Sequence, residues 1–372
     1  MEIIHIVLGK ANPDRMNGIN KVVFQLATRQ AQMGNEVSLW GIAENLDENY
    51  GERSFKTHLF LQQSSPFKVD PKLTEAIKSY KNKNAIFHIH GGWVPVFSNV
   101  SKILKKYKIP FVFTPHGAYN VIAMKRSYWK KKVFFYLYEK KLLSNASIIH
   151  CIGSSEVDGL NSIYKTTKTK LLPYGFDFKT IPQVGSSTSK FIIGFVGRLD
   201  IYTKGLDLLV EAFEEFYAHH TNSELWIVGD SEEKVKLAEV IKEKNLDASV
   251  KLLGSKFGEE KNSIIASMSV FTHPSRNEGL PAAVLEASSF GVPCVVSKAT
   301  NVGEYILNNN AGWVIQNENV NELIEALEKA YKLWENSQFS TMQSNASNMV
   351  ITEFSWENLI PKYTQLYQQI SN

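Results

Sequence analysis

Short apolar runs alternate with longer amphipathic stretches along the whole chain. Ile3–Leu8, Glu36–Trp40, Ile86–His90, Phe111–Thr114 and Ser147–Ile152 are rich in Ile, Val and Phe and have the length of buried strands. Between the first two, Gly18–Met33 carries Val22, Val23, Leu26 and Met33 at helical spacing. Strands separated by amphipathic helices predict βαβ units and a parallel sheet covered on both faces. The pattern stops at Ile181–Lys190 (IPQVGSSTSK), a stretch without periodicity that reads as a linker. It restarts with Phe191–Val196, Glu224–Val228, Val250–Leu253, Val270–Thr272 and Cys294–Ser297. There Leu206, Leu209, Val210, Phe213, Phe216 and Tyr217 predict an amphipathic helix packed on a second sheet. Trp356–Ile370 is again helical in period. Two α/β halves of similar size follow one another.

Composition narrows the class. Of 372 residues, 44% are hydrophobic and 21% charged, the balance of a globular enzyme. Lys and Arg number 41 against 37 acids, and a net charge of +4 is too small to argue for nucleic acid by itself. Cys151 and Cys294 stand far apart in apolar runs with no zinc spacing, so a reduced, cytoplasmic setting is the default. The opening MEIIHIVLGK has no basic region typical of a signal peptide. No apolar run reaches the roughly 18 residues of a membrane span.

Three loops carry polar and glycine residues directly after apolar strands, where open parallel sheets bind ligands. In Phe195–Gly205, Arg198 and Lys204 flank a glycine-containing loop at a helix N-terminus. That arrangement can neutralise a diphosphate; two ordinary surface cations are the other reading. In His273–Ala287, Gly279 precedes Pro281, which suits the first helical position. The amides of Gly279 and Leu280 then face the strand ends. Glu286 lies about 7–8 Å along the helix, about the distance from a diphosphate to its ribose, and Glu278 lies on the other side of the amides. A helix-start and helix-surface pair of acids explains the spacing equally. In Phe111–Tyr119, His116 precedes a glycine and is expected to be exposed, or else to be a satisfied structural histidine. In Phe87–Trp93, His88 and His90 share one face by period. Neither group shows metal spacing, and the chain has no P-loop, nucleophile elbow, HExxH or Asp-x-Asp. No metal and no cofactor are expected.

Taken in order, these loops resemble the family-4 retaining glycosyltransferases of the GT-B fold, particularly those that build bacterial surface polysaccharides. The resemblance runs over nearly the whole chain: Asn17-Gly18, Thr114-Pro-His-Gly117, Leu172-Pro-Tyr-Gly-Phe-Asp177, Gly197-Arg198 with Lys204-Gly205, Leu225-Trp-Ile-Val-Gly-Asp230, Arg276-Asn-Glu-Gly-Leu-Pro with Glu286-Ala, Gly291-Val-Pro-Cys-Val-Val296 and Asn301-Val-Gly-Glu304. It departs at Asn17-Gly18 and Val302-Gly303, where the family has Gly-Gly pairs. It implies two Rossmann-like α/β domains with parallel sheets facing across a cleft, spanning 1–182 and 188–353. A C-terminal helix within 354–372 returns to the N-terminal domain.

The resemblance also assigns roles. Gly18 approaches the donor phosphates, His116 lies beside the reacting sugar, and Arg198 and Lys204 hold the diphosphate. Glu278 touches sugar hydroxyls, Gly279, Leu280 and Pro281 form the phosphate turn, Glu286 binds ribose, and the base lies near Lys256 and Phe257. Asn17, His90 and Tyr119 are expected on the acceptor side. The expected reaction is metal-independent, retaining transfer from a nucleoside-diphosphate sugar, UDP-sugars favoured, to a hydroxyl of a glycan or lipid-linked oligosaccharide. Alternatives are a GDP-mannose-dependent mannosyltransferase, a GT-B nucleotide-sugar epimerase, and a non-catalytic sugar-nucleotide or glycan-binding protein. Between Lys125 and Lys141, seven cations interleave with aromatic residues against the single acid Glu139. This suits peripheral contact with the cytoplasmic face of an anionic membrane; a buried helix at Val133–Tyr138 with a solvated start is the other reading. No nucleic-acid motif accompanies it.

Overall fold

The structure, a computed structural model, describes residues 1–12, 18–120, 124, 127–177 and 189–371. It divides into two compact units, Met1–Gly175 with Trp356–Asn372, and Phe176–Ser355. Most of the linker expected at Ile181–Lys190 falls on 181–188, outside the described residues.

The first unit contains β1 (Glu2–Leu8), β2 (Glu36–Ala43), β3 (Lys56–Leu61), β4 (Ala85–His90), β5 (Phe111–Thr114), β6 (Ile148–Cys151) and β7 (Thr169–Leu171). They form one sheet in the order β3-β2-β1-β4-β5-β6-β7, with every pairing parallel. The second unit contains β8 (Phe191–Val196), β9 (Ser223–Val228), β10 (Val250–Gly254), β11 (Val270–His273), β12 (Cys294–Ser297) and β13 (Gly312–Ile315). Its order is β10-β9-β8-β11-β12-β13, again all parallel. Each sheet is doubly wound and reverses direction once, at β1/β4 and at β8/β11. Ligand sites of such sheets lie beyond the carboxyl ends of the strands at that reversal.

Central strands are buried on both faces, so their apolar runs identify them. In the first unit Ile4, Ile6, Phe87, Ile89, Phe111 and Phe113 pack against the helices Pro71–Ser79 and Pro95–Lys106. On the other face Ile3, Ile86, Val112 and Ile148 meet Leu26 of the helix Gly18–Gln32 and Leu359, Ile360, Tyr363 and Leu366 of the helix Trp356–Gln368. The last helix of the chain is therefore part of the first unit's core. Gly175 fits against it closely: a Cβ there would lie 2.1 Å from the Trp356 ring. In the second unit the helix Leu206–His219 buries Leu206, Leu209, Val210, Phe213 and Phe216.

Within Gly18–Gln32 the buried stripe is Asn20, Val23, Leu26, Ala27 and Gln30. Met33, expected on the apolar side, is 50% exposed, because the helix ends before it. The buried-helix reading of Val133–Tyr138 is also corrected. After the helix Tyr128–Phe134, the π-helical turn Phe135–Glu139 buries only Phe135 and Glu139. Trp129, Val133, Tyr136 and Leu137 are between 59% and 72% exposed.

Candidate functional site

In the second unit the chemistry gathers where β8 and β11 lie side by side. After β8 the chain runs Gly197-Arg198-Leu199-Asp200 into the short helix Ile201–Lys204, capped by the Asp200 carboxylate accepting from the Thr203 amide at 2.9 Å. The next helix starts at once only because Gly205 takes φ +69°, and a Cβ there would lie 2.2 Å from the Pro274 carbonyl. That contact presses the loop after β8 onto the loop after β11. Arg276 holds the two loops together. Its guanidinium donates to both Asp207 carboxylate oxygens at 2.8 Å and to the Tyr202 carbonyl at 2.7 Å.

The clamp places Lys204 Nζ in an ion pair with Glu278 Oε2. The same oxygen lies 3.4 Å from Nε2 of His273, a ring stacked on Phe195 and 2% exposed. Burial alone would raise the Glu278 pKa, but His273 and Lys204 outweigh it and hold the carboxyl down at about 2. Burial pushes the His273 imidazole below its ordinary value. The following turn is tied by the Asn301 amide, which donates to the Gly279 carbonyl at 3.2 Å. Among the described residues the amides of Gly279 and Leu280 have no partner. Pro281 stands one residue before the helix Ala282–Ser289, as its N-cap, not at its first position. Glu286, on that helix, pairs with Lys261 at 2.7 Å. Arg198 is exposed and pairs with Asp200 at 2.9 Å. Beyond β10, Lys256 pairs with Glu260 at 2.5 Å, and the Phe257 ring is 80% exposed.

In the first unit the reversal point brings together the ends of β1, β4 and β5. Gly18 opens its helix with nothing within 4 Å of where a Cβ would stand. His116, in the left-handed region at φ 60°, is half-buried, not exposed as expected. Its turn is held from behind by Glu156, whose carboxylate accepts from the Gly117 amide at 2.6 Å. His116 Nδ1 meets the Tyr174 hydroxyl at 2.5 Å, and Nε2 meets His90 Nδ1 at 3.0 Å.

The sequence profiles of two domains match this chain. That of the Glycosyl transferases group 1 matches residues 177–348, and that of Glycosyltransferase Family 4 matches residues 16–179. An uncharacterized glycosyltransferase of Methanocaldococcus jannaschii is 23% identical, the match spanning 87% of this chain and 89% of that protein. The poly(ribitol-phosphate) alpha-N-acetylglucosaminyltransferase of Staphylococcus aureus is 24% identical over 79% of this chain and 57% of its own length. The solved structure of HepE from Anabaena in complex with UDP superposes with a TM-score of 0.73 at 16% identity, covering 99% of this chain and 100% of the other. The chain belongs to the family-4 glycosyltransferases of the GT-B fold.

This glycosyltransferase brings Lys204, Glu278 and the Gly279–Leu280 turn into one cluster, while Arg198 is held to Asp200 in its own loop. Asn17 lies outside the described residues. Two residues expected on the acceptor side are placed inside the unit instead. Tyr119 is fully buried, its hydroxyl donating to Glu139 at 2.6 Å. His90 is 2% exposed, with both ring nitrogens engaged by other histidines. His273, Arg276, Lys261, Glu156 and Tyr174 shape the sites without having been singled out by sequence. His273 shows as the polar end of an apolar strand, and Arg276 and Tyr174 fall inside motifs of the resemblance without a role of their own.

His88 and His90 do share a face, as their period predicts, and His5 joins them. Ligand atoms of these three rings lie within 4.8 Å of one another. Yet all six nitrogens already have hydrogen-bonding partners, so the residues do not fit a cation without dismantling that set. Among the described residues no helix is long and apolar enough to cross a membrane.

Proposed function

We propose that this glycosyltransferase is a retaining, metal-independent enzyme. It moves a sugar from a nucleoside-diphosphate donor, preferably a UDP-sugar, to a hydroxyl of a glycan or lipid-linked glycan during bacterial polysaccharide synthesis. The observation that carries the reading is the cluster at the end of β8 and β11. Among the described residues Lys204 has one carboxylate partner, Glu278, and the two amides that follow Glu278 in the chain are unpartnered. A diphosphate entering there takes the Lys204 ammonium, the Gly279 and Leu280 amides and the exposed Arg198. Glu278, ionised at neutral pH, is released toward sugar hydroxyls.

As the glycosidic bond breaks, negative charge grows on the departing diphosphate. Fixed cations and amides aimed at it lower the barrier with little reorganisation. Acceptor attack occurs on the face the diphosphate leaves, which preserves the configuration. Glu286 receives the ribose diol after exchanging Lys261, and the exposed Phe257 ring offers a stacking surface for the base. In the first unit, Gly18, open to solvent, is the candidate for contact with the donor phosphates and the turn at His116 the candidate for contact with the reacting sugar. No cofactor is required beyond the donor. The UDP preference follows HepE, solved with UDP, and the S. aureus relative, named for transfer of an N-acetylglucosaminyl group.

A lipid-linked acceptor draws support from the first unit's surface. Tyr128, Trp129, Val133, Tyr136 and Leu137 are exposed beside Lys130, Lys132, Lys140 and Lys141. None of these four lysines has a carboxylate partner among the described residues. Exposed aromatic rings among unpaired cations match an anionic interface.

Thermal unfolding with UDP, GDP, ADP and CDP and their sugars tests the reading. At 100 times its dissociation constant the true donor stabilises by about 2.7 kcal/mol, and a chelator leaves that gain unchanged. A gain with GDP-mannose alone selects the mannosyltransferase. Donor turnover without any acceptor that yields an altered sugar selects the epimerase. No gain with any nucleotide defeats the proposal.

A further inference from the structure

Five histidines, a threonine, a glutamine and two tyrosines inside the first unit form one continuous hydrogen-bonded chain. The rings lie on one face of the sheet: His5 is in register with His88, and His90 with Thr114. That face is covered by the helices bearing Gln30 and Tyr367. The contacts run His150 Nε2 to the Leu172 carbonyl (2.7 Å), His150 Nδ1 to Thr114 Oγ1 (2.7 Å), and Thr114 Oγ1 to His88 Nε2 (2.6 Å). They continue from His88 Nδ1 to the Tyr367 hydroxyl (2.9 Å) and from that oxygen to Gln30 Nε2 (3.1 Å). Gln30 Oε1 then meets His5 Nε2 (2.7 Å), His5 Nδ1 meets His90 Nε2 (2.9 Å), His90 Nδ1 meets His116 Nε2 (3.0 Å), and His116 Nδ1 meets the Tyr174 hydroxyl (2.5 Å).

A neutral imidazole has one donor and one acceptor nitrogen, so each link dictates the next. The Leu172 carbonyl can only accept, so His150 carries its proton on Nε2. His150 Nδ1 must then accept from the Thr114 hydroxyl, and Thr114 accepts from His88 Nε2–H. His88 Nδ1 accepts from the Tyr367 hydroxyl, whose oxygen accepts from the Gln30 amide. Gln30 Oε1 is thereby turned to accept from His5 Nε2–H. His5 Nδ1 accepts from His90 Nε2–H, His90 Nδ1 accepts from His116 Nε2–H, and His116 Nδ1 accepts from Tyr174. One backbone carbonyl sets the polarity of the whole chain. All five rings end as the same neutral tautomer, and every link is satisfied.

We propose that Tyr367 and Gln30 are positioning residues for His116: they transmit that polarity across the unit and hold its ring in one orientation and one neutral tautomer at the strand ends. This rests on the reading that the His116 turn borders the reacting sugar. The chain also explains why five imidazoles are tolerated in a core. A buried polar group is costly only when unpaired. Burial keeps the rings neutral, with His5 and His150 pushed down to about 4, His116 to about 3, and His88 and His90 well below their ordinary value.

Tyr367→Phe removes one oxygen and keeps the packing. It frees the Gln30 amide to turn over, so the arm through His5 and His90 to His116 loses its fixed direction. Ring-nitrogen NMR of 15N-histidine-labelled protein should show His116 protonated on Nε2 alone in the wild type, and on both nitrogens in exchange in Tyr367→Phe. Release of UDP from UDP-glucose, UDP-galactose or UDP-N-acetylglucosamine, whichever the wild type uses fastest, should show kcat lowered on the order of 10-fold with donor KM nearly constant. Gln30→Met should do the same. An unchanged His116 tautomer in Tyr367→Phe, or scrambled tautomers with wild-type kcat, overturns the proposal. Wild-type kcat in His116→Ala instead overturns the underlying reading of that turn.

Discussion

Acidification should unfold the first unit well before the second. The perturbation is pH, and the groups that answer to it are the buried His5, His88, His90 and His150 and the half-buried His116, all held below the ordinary histidine value by desolvation. An unfolded chain takes up protons on these rings as pH falls through 6.5, while the folded unit does not until about pH 4 or below. In that window the unfolded state binds up to five more protons, so stability falls with falling pH. Two buried carboxyls act oppositely. Burial pushes Glu139 and Glu156 up to about 7 from 4.5, so the folded unit keeps their protons longer and gains stability on acidification over that range. Three net protons at about 1.4 kcal/mol each give about 4 kcal/mol lost per pH unit between pH 6.5 and 4.5. Against a typical stability of about 5–15 kcal/mol, that decline is enough for acid unfolding near pH 4.5. Circular dichroism and tryptophan fluorescence melts from pH 8 to 4.5 should show one transition moving steeply down and a second, from the unit holding His273 as its one strongly buried histidine, moving less. A midpoint that stays level or rises between pH 7 and 5 would refute the account of the histidine chain as neutral and desolvated.

Other substitutions test individual contacts. Lys204→Ala should lower donor kcat/KM on the order of 100-fold without changing the unfolding midpoint by more than a few degrees; near-normal turnover would remove its role. Gly205→Ala sets a methyl group 2.2 Å from the Pro274 carbonyl at φ +69° and should cost about 2–4 kcal/mol, read as a lower calorimetric midpoint of the second unit. A wild-type midpoint would show that the two loops are not pressed together there. Lys130→Glu with Lys132→Glu should weaken co-sedimentation with anionic phosphatidylglycerol vesicles roughly tenfold or more, at about 1 kcal/mol per lysine; binding equal to the wild type's would remove this surface from the acceptor side.

What the sequence revealed follows from how each feature encodes itself. Strands buried on both faces, such as Phe191–Val196 and Cys294–Ser297, announce themselves as apolar runs, and both match the observed bounds. Three of the four edge strands do not, although the edge strand at Val250–Gly254 does. Lys56–Leu61 alternates exposed and partly buried positions, Thr169–Leu171 buries no residue, and Gly312–Ile315 buries one. The loops after β8 and β11 were visible because glycine, proline and charge directly follow apolar strands. The clamp from Arg276 to Asp207 was not, since its partners are 69 residues apart and neither is periodic. The histidine chain was harder still. It depends on Gln30 meeting Tyr367 across 337 residues, and a polar residue on a buried helix stripe looks like an ordinary surface position until its partner is known. Hydrophobicity places Met33 on that stripe, while the buried position belongs to Gln30.

The central claim is that Arg198, Lys204 and the Gly279–Leu280 amides grip the donor diphosphate. A crystal structure with an intact UDP-sugar, grown with and without magnesium, tests it most directly. The account predicts phosphate oxygens within hydrogen-bonding distance of Lys204 Nζ and both amides, with Glu278 swung onto the sugar, in both crystals. Phosphates lying away from the ends of β8 and β11, or bound there only when magnesium bridges them, would contradict it.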